Sequence, residues 1–240
     1  MHRHLDTVER GLNQRGGKLT AGSARDLSLL DRLERLHPAL VSDCLDRIDR
    51  REQVMDPSIR PLYQDAKTAG YAVTVQAVNV EAMPASPVGW YRGELQAVDA
   101  LGAGDVMVVS TCRGSYWGEL LATASRYRGA RGAVMDAYTR DTLALIEMRF
   151  PTFSAGISAA DSLGRIDVEA VNVPIRCGGV LVDPGDLILA DYDGVVVVPH
   201  QIADEVIGAA EEKLVGENLV REKLATGMPT WEAFQTYGII

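Results

Sequence analysis

The chain has 240 residues, enough for one substantial core or two small ones, and its 47% hydrophobic and 24% charged content excludes global disorder. A formal net charge of −9 argues against nucleic acid as a primary partner, because no basic excess is present to displace counterions from phosphates. No run approaches the roughly 20 apolar residues that span a bilayer, and no apolar run follows the basic residues near Met1, so no membrane partner is expected and the cytoplasm is the expected compartment.

Residues 1–25 are polar and glycine-bearing and read as a loose or partner-dependent arm. From Asp26 to Ile48, Leu29, Leu30, Leu33, Leu36, Leu40, Val41, Leu45 and Ile48 recur at helical spacing. Pro38 interrupts them, which predicts two helices, the second capped near Ser42 or Asp43. Met55 to Tyr63, with two prolines, reads as a turn. Tyr71 to Val78 alternates and is β-branched, as a strand requires. Asp105 to Ser110 is a continuous apolar run suited to a strand buried on both faces. Gly118 to Arg128 reads as a helix, Gly132 to Asp136 as a buried strand and Asp141 to Glu147 as a helix. This alternation predicts a parallel sheet with right-handed crossovers.

Val171 to His200 differs in character. Short strands at Val180–Val182, Asp186–Asp191 and Gly194–Pro199, separated by turns, predict an antiparallel or barrel-like layer. Pro184-Gly185-Asp186 echoes Ala103-Gly104-Asp105 in opening an apolar strand. After Gln201, Ile202, Val206, Ala210 and Leu214 form a helical stripe. Gly227 to Pro229 ends that helix, and Thr230 is placed to cap a short last one. The whole reads as one domain over 26–200 with a helical extension over 201–240.

Cys44, Cys112 and Cys177 are far apart and lack CxxC spacing. They are expected to be small buried hydrophobes, not a disulfide frame, a zinc site or a catalytic thiol. His2, His4, His37 and His200 are scattered, and His200 reads as a helix-entry residue rather than a base. Gly102 to Asp105 lacks the spacing of a dinucleotide loop, and Ser115 is not on a nucleophile elbow. Asp136, within a strand, reads as a partner to the site or as a strand-end residue. Tyr116 and Trp117 either line a pocket or pack against the sheet.

The informative chemistry lies in two stretches. Gly118 opens a helix whose first amides, at Glu119, Leu120 and Leu121, suit a carboxylate. Arg140-Asp141 follows a buried strand, and ligand sites in parallel sheets sit at the carboxyl ends of strands. Asp141 is a hard oxygen donor suited to Mg²⁺ or Mn²⁺, and Arg140 can pair with a carboxylate or an oxyanion. A surface ion pair, or a helix N-cap at Asp141, is the plainer explanation of the dipeptide taken alone.

Gly118 to Thr123, followed by Arg140-Asp141 with twenty residues between Glu119 and Arg140, resembles the acidic-residue–x20–Arg-Asp signature of the RraA-like family. That family contains class II 4-hydroxy-4-methyl-2-oxoglutarate/4-carboxy-4-hydroxy-2-oxoadipate aldolases, oxaloacetate decarboxylases and the regulator of ribonuclease E activity. Ser42 to Asp46, Met55-Asp56-Pro57, Ile59 to Leu62, Pro184-Gly185-Asp186, Asp193 to Pro199 and Tyr237-Gly238-Ile239 are similar to it too.

The resemblance implies a layered α-β-β-α sandwich of the α/β class, homotrimers or homohexamers, and a site between subunits that takes a small 2-oxo acid. It implies Asp141 as the direct ligand of Mg²⁺ or Mn²⁺, and Arg140 as the group on the 2-oxo oxygen and the enolate. Gly118, Glu119, Leu120 and Leu121 would supply amides for the pyruvoyl carboxylate. Glu119 stands where the aldolases usually carry aspartate, one methylene shorter. An acidic residue of the C-terminal helix comes from the adjacent subunit in those enzymes; Glu217 is the candidate here, with Glu211 and Glu212 as alternatives. The expected activity is a metal-dependent pyruvate-releasing lyase that also decarboxylates oxaloacetate. The alternative is a non-catalytic regulator that binds a ribonuclease or helicase. A methyltransferase finds no support, because no glycine-rich cofactor loop follows the first strand. The segment Ala82 to Arg92, with Pro84, Pro87, Trp90 and Tyr91, is expected to form part of the specificity surface.

Overall fold

The computed structural model describes residues 25–84 and 89–239, so the arm expected over 1–25 lies outside the described residues except for Arg25. Two helices open the fold, α1 (Leu27–Glu34) and α2 (Pro38–Arg47). Asp26 caps α1, its Oδ1 accepting from the amides of Ser28 at 2.9 Å and Leu29 at 3.3 Å. The second helix does not begin at Ser42 or Asp43, which lie in its interior. It begins at Pro38, because proline at the first helical position lacks only an N–H that the helix would leave unbonded and already has helical φ.

Among the described residues eleven strands follow: β1 (Arg60–Pro61), β2 (Thr68–Asn79), β3 (Asp105–Val109), β4 (Ser115–Trp117), β5 (Gly132–Thr139), β6 (Thr152–Ile157), β7 (Ile166–Val171), β8 (Ile175–Cys177), β9 (Val180–Val182), β10 (Leu187–Ala190) and β11 (Val195–Val198). Three short helices lie among them: α3 (Arg92–Asp99), α4 (Glu119–Tyr127) and α5 (Thr142–Met148). The main sheet runs β1-β6-β5-β3-β2-β10-β11, with β4 also on β5 and β7 also on β2. The pairs β2–β3, β3–β5 and β5–β6 are parallel, as the β-α-β-α pattern predicts. The later strands are antiparallel as expected, but β10 pairs with β2 and so extends the same sheet. Among the described residues only the hairpin β8–β9 stands apart from it.

Side-chain alternation explains the layering. Val73, Val75 and Ala77 of β2 face one group of helices (α3, α4, α5), whereas Ala69 and Tyr71, on the same face nearer its start, face a second group. The opposite face puts Val106 and Val108 of β3, Val134 of β5, Ile188 of β10 and Val195 and Val197 of β11 into one cluster, together with Cys177 and Val182 of the hairpin. Strands from both ends of the sheet meet there only because the sheet curls around that cluster. The result is two sheet halves face to face with helices outside each, the α-β-β-α sandwich.

A 3₁₀ turn at His200–Ile202 leads into α6 (Ala203–Ala225), and α7 (Thr230–Tyr237) closes the chain. Thr230 is not the cap of α7. Pro229 occupies that position and Thr230 is the first helical residue. Val206 and Ala210 are buried against α1 and α2, with Ile202 and Leu214 partly buried beside them. Among the described residues no helix is long and apolar enough to cross a membrane.

Candidate active site

β5 is buried along most of its length, and its carboxyl end is pinned: the Arg140 amide donates to the Trp117 carbonyl at 2.9 Å, and Thr139 Oγ1 donates to the same oxygen at 3.2 Å. Asp141 then takes a left-handed backbone, φ 54° and ψ 32°, to turn the chain into α5. That conformation is uncommon for a residue with a Cβ, although aspartate tolerates it better than most. Asp141 holds the N-cap position of α5, yet its carboxylate bonds none of that helix's amides. It reaches across to α4 instead, where Oδ2 accepts from the Glu119 amide at 3.2 Å. Simple capping therefore does not account for it.

Gly118 makes this approach possible. A Cβ at that position would lie 2.6 Å from Asp141 Oδ2 and 3.4 Å from Arg140 Cγ. The glycine is required by proximity, since its own backbone is ordinarily extended. The Glu119 amide is occupied by Asp141, so the Leu120 and Leu121 amides are the ones this helix end keeps for an anion. The Glu119 carboxylate accepts from Thr123 Oγ1 at 2.7 Å, one turn along α4.

Arg140 points to Asp161, its Nη2 3.3 Å from Oδ1. Asp161 is itself held: Tyr91 donates its hydroxyl to Oδ2 at 2.6 Å, and the Ser162 amide donates to Oδ1 at 2.8 Å. Burial opposes ionisation of Asp161, but Tyr91, Arg140 and the Ser162 and Leu163 amides together keep its carboxyl below the ordinary value. The same bond pushes the Tyr91 phenol up to about 12 and keeps it a donor. Ser162 Oγ donates to Glu94 Oε2 on α3 at 3.0 Å. Burial pushes the Glu94 carboxyl up to about 7, with Ser162 acting against it, Asp161 with it and Arg140 against it.

The structure thus brings Gly118, Glu119, Arg140 and Asp141 into one corner and adds Asp161, Tyr91, Ser162 and Glu94, which sequence reasoning did not single out apart from Tyr91. The strand-end rule applied to β2 would have drawn attention to α3 and Glu94. Asp161 sits in the loop between β6 and β7 with no motif around it. Of the expected specificity segment, 85–88 lie outside the described residues, while Tyr91 stands beside the Arg140–Asp161 pair.

Other residues are placed elsewhere. Within one chain Glu217 lies 3.2 Å from Lys213, whose ammonium also contacts Asp43 between α6 and α2, and Glu211 pairs with Arg32 at 2.8 Å. The Asp136 carboxylate accepts from Thr111 and from the Gly178 amide, tying β5 to neighbouring loops. Tyr116 and Trp117 are buried in the core, Trp117 stacking on Phe150 at 6.0 Å between centroids, so they pack and do not line a pocket. All three cysteines are free and buried, and burial pushes their thiols up.

Among the described residues no three His, Cys, Asp or Glu side chains gather as a cage for a metal ion. The corner nonetheless fits a hydrated hard cation. Such an ion is held by one or two carboxylates and keeps most of its waters, and Asp141 is exposed with Oδ1 bonded to no described residue.

A Halalkalibacterium halodurans protein provisionally named as a 4-hydroxy-4-methyl-2-oxoglutarate aldolase is 29% identical over 194 residues, covering 80% of this chain and 86% of its own. An uncharacterized protein from Pseudomonas syringae pv. tomato superposes with a TM-score of 0.75 at 29% identity, covering 88% of this chain and 99% of its own. Streptomyces coelicolor RraAS2, described as an unusual member of the RNase ES inhibitor RraA protein family, gives 0.73 at 28% identity, covering 82% and 98%. The family-wide sequence description RraA-like (Aldolase/RraA) matches residues 38–197, which span the curled sheet and both halves of the corner, and the chain belongs to that family.

Proposed function

We propose that this chain is a divalent-metal-dependent lyase that cleaves a 4-hydroxy-2-oxo acid of the 4-hydroxy-4-methyl-2-oxoglutarate type to pyruvate through the pyruvate enolate. It decarboxylates oxaloacetate at the same site, because loss of CO₂ leaves the same enolate. The observation that carries this reading is the Asp141 carboxylate, set on a left-handed residue against Gly118 and beside Arg140.

Asp141, with Glu119 near it, would hold Mg²⁺ or Mn²⁺. Bound there, the ion supplies Lewis-acid polarisation of the substrate's 2-oxo group. The Leu120 and Leu121 amides and the amino end of α4 hold the substrate carboxylate. Arg140 lies where negative charge develops on the 2-oxo oxygen, and a fixed guanidinium there stabilises the enolate without reorganising. Asp161 keeps Arg140 in place and leaves its other N–H groups for substrate.

The exposed apolar residues Leu120 (77%), Leu143 (83%) and Ile157 (65%) follow site residues or end β6, and they favour a neighbouring subunit over the corner. A homotrimer or homohexamer with Glu217 of α6 reaching an adjacent site is the assembly we propose, in the cytoplasm. Exposed Val215, Leu219, Trp231 and Phe234 on α6 and α7 suit the same packing. The likeness to RraAS2 supports a second reading, a regulator that binds a ribonuclease or helicase through its surface. A pure binder has no need of the Gly118–Asp141 approach.

The test is pyruvate release from 4-hydroxy-4-methyl-2-oxoglutarate and from oxaloacetate, with Mg²⁺ and again with EDTA. Release that EDTA abolishes supports the lyase. No release from either substrate in Mg²⁺ defeats it and leaves the regulator.

A further inference from the structure

We propose that Glu94 is the acid–base group of this site: its carboxylate accepts the substrate's 4-hydroxyl proton as the C3–C4 bond breaks, and returns it to C3 of the enolate. The proposal rests on the lyase reading above and assigns the proton transfer that reading requires.

Retro-aldol cleavage must remove a proton from the 4-hydroxyl, and in the proposed corner the carboxylates of Asp141 and Glu119 are assigned to the cation. Asp141 uses Oδ2 on the Glu119 amide, and the charge of its other oxygen is what suits a cation. The Glu119 carboxylate is bonded by Thr123 on α4. Among the described histidines, His37 is the N-cap residue of α2 and His200 packs edge-on to Tyr71 at 6.4 Å, both on the other helical flank. Glu94 stands on the first turns of α3, which follows β2 at the carboxyl end of the parallel strands. Ser162 Oγ fixes its Oε2 at 3.0 Å, and the neighbouring Asp161 holds Arg140 at 3.3 Å. Arg140 and Glu94 thus contact adjacent residues, Asp161 and Ser162, of the loop between β6 and β7.

The groups facing Glu94 are Asp161, Arg140, Tyr91, Tyr116 and Cys112. The phenols of Tyr91 and Tyr116 and the Cys112 thiol are all pushed upward and stay protonated, while Asp161 is held ionised. Glu94, pushed by burial to about 7, is the member of this cluster that exchanges a proton near neutrality. Two carboxyls whose environments drive their affinities apart, beside a charge-stabilising arginine, are arranged for an acid–base division of labour.

The step balances. The 4-hydroxyl proton moves to Glu94, the C3–C4 bonding pair becomes the enolate, and C4 becomes the carbonyl carbon of the second product. The protonated Glu94 then delivers the same proton to C3, which gives pyruvate and restores the carboxylate. Decarboxylation of oxaloacetate breaks its bond with no prior proton removal, so it needs Glu94 only for the final protonation, which water can also perform.

That asymmetry supplies the test. In Glu94→Gln, with the Ser162-accepting oxygen retained, pyruvate release from 4-hydroxy-4-methyl-2-oxoglutarate should fall by about 10²–10³-fold, and from oxaloacetate by less than about 10-fold. The limb near neutrality in the wild-type pH profile should vanish in Glu94→Gln and persist at reduced rate in Glu94→Asp. Ser162→Ala should move that limb upward, which provides a measurement independent of how well Glu94→Gln folds. Equal losses on the two substrates, or an unchanged pH profile in Glu94→Gln, would overturn the assignment. Wild-type protein that releases no pyruvate from either substrate removes the lyase reading itself, a distinct result.

Discussion

Where β3 and β10 begin, on either side of the start of β2, Asp105 and Asp186 follow left-handed glycines, Gly104 at φ 84° and Gly185 at φ 88°. Each carboxylate accepts the backbone N–H three residues earlier at 2.9 Å, Gly102 for Asp105 and Asp183 for Asp186. Their second oxygens are taken by the Arg25 guanidinium at 3.2 Å and by the His200 amide at 3.0 Å. At the other end of the sheet, after β5, Asp141 carries the left-handed backbone itself, accepts one amide and leaves its second oxygen open. Glycine takes the unfavourable dihedral where aspartate only closes a turn, whereas aspartate takes it where the carboxylate must be aimed. One end of the sheet uses its carboxylates for fold, and the other carries the carboxylate we propose for chemistry.

The largest expected effect that bears on this contrast is at Asp141. Asp141→Gly should lower pyruvate release by about 10³-fold or more, while stability stays within about 1 kcal/mol of the parent, since relief of left-handed strain offsets the lost bond to Glu119. Steady-state turnover and a denaturant melt on the same preparation measure both. A variant that keeps turnover, or that unfolds, would erase the distinction between the two ends. Next in size is Gly118→Ala, whose methyl would meet Asp141 Oδ2 at 2.6 Å. Displacing that carboxylate by a fraction of an ångström should lower turnover by about 10²-fold, with stability little changed.

The reverse pattern is expected at Asp186. Asp186→Ala leaves the Asp183 and His200 amides without their acceptor around a buried carboxylate in a half-buried turn, at a cost of about 2–4 kcal/mol, or a melting temperature lower by roughly 6–12 °C. Turnover per folded molecule should be unaltered below the melt. A catalytic loss at constant stability would place Asp186 on the wrong side of the comparison.

Local chemistry made one part of this legible and hid another. The parallel strands are evident because continuous Val-rich runs buried on both faces follow glycine turns. The likeness of Ala103-Gly104-Asp105 to Pro184-Gly185-Asp186 extends to their hydrogen bonds. Arg140-Asp141 is visible because a buried strand ends there. The start of α2 at Pro38 is not legible in the sequence, because a proline can either break a helix or begin one. The curl of the sheet depends on β10 returning to β2, a long-range pairing that no periodicity encodes. The cluster behind Arg140 is hidden for the same reason. Tyr91, Glu94, Asp161 and Ser162 come from separate segments, and only the packing of α3 beside β7 makes them neighbours.

The smallest effect concerns Glu94, a carboxyl beside the candidate site whose net shift is upward because burial outweighs its hydrogen bond from Ser162. A folded-state value near 7, against an ordinary 4.5, means the folded protein binds this proton more tightly than the unfolded chain does. The associated stability is fully present below about pH 4.5 and is lost as pH rises through about 7. Glutamine has no proton to lose, so the wild type should weaken relative to Glu94→Gln by about 1–2 kcal/mol between pH 5 and pH 8, part of the full shift being screened by water at its partly open side. Paired denaturant melts across that range read the difference directly, because the other titrating groups are common to both proteins and cancel. Parallel curves would mean that Glu94 is ordinarily ionised, and the chemical end of the sheet would then resemble the structural end more than the geometry of Asp141 suggests.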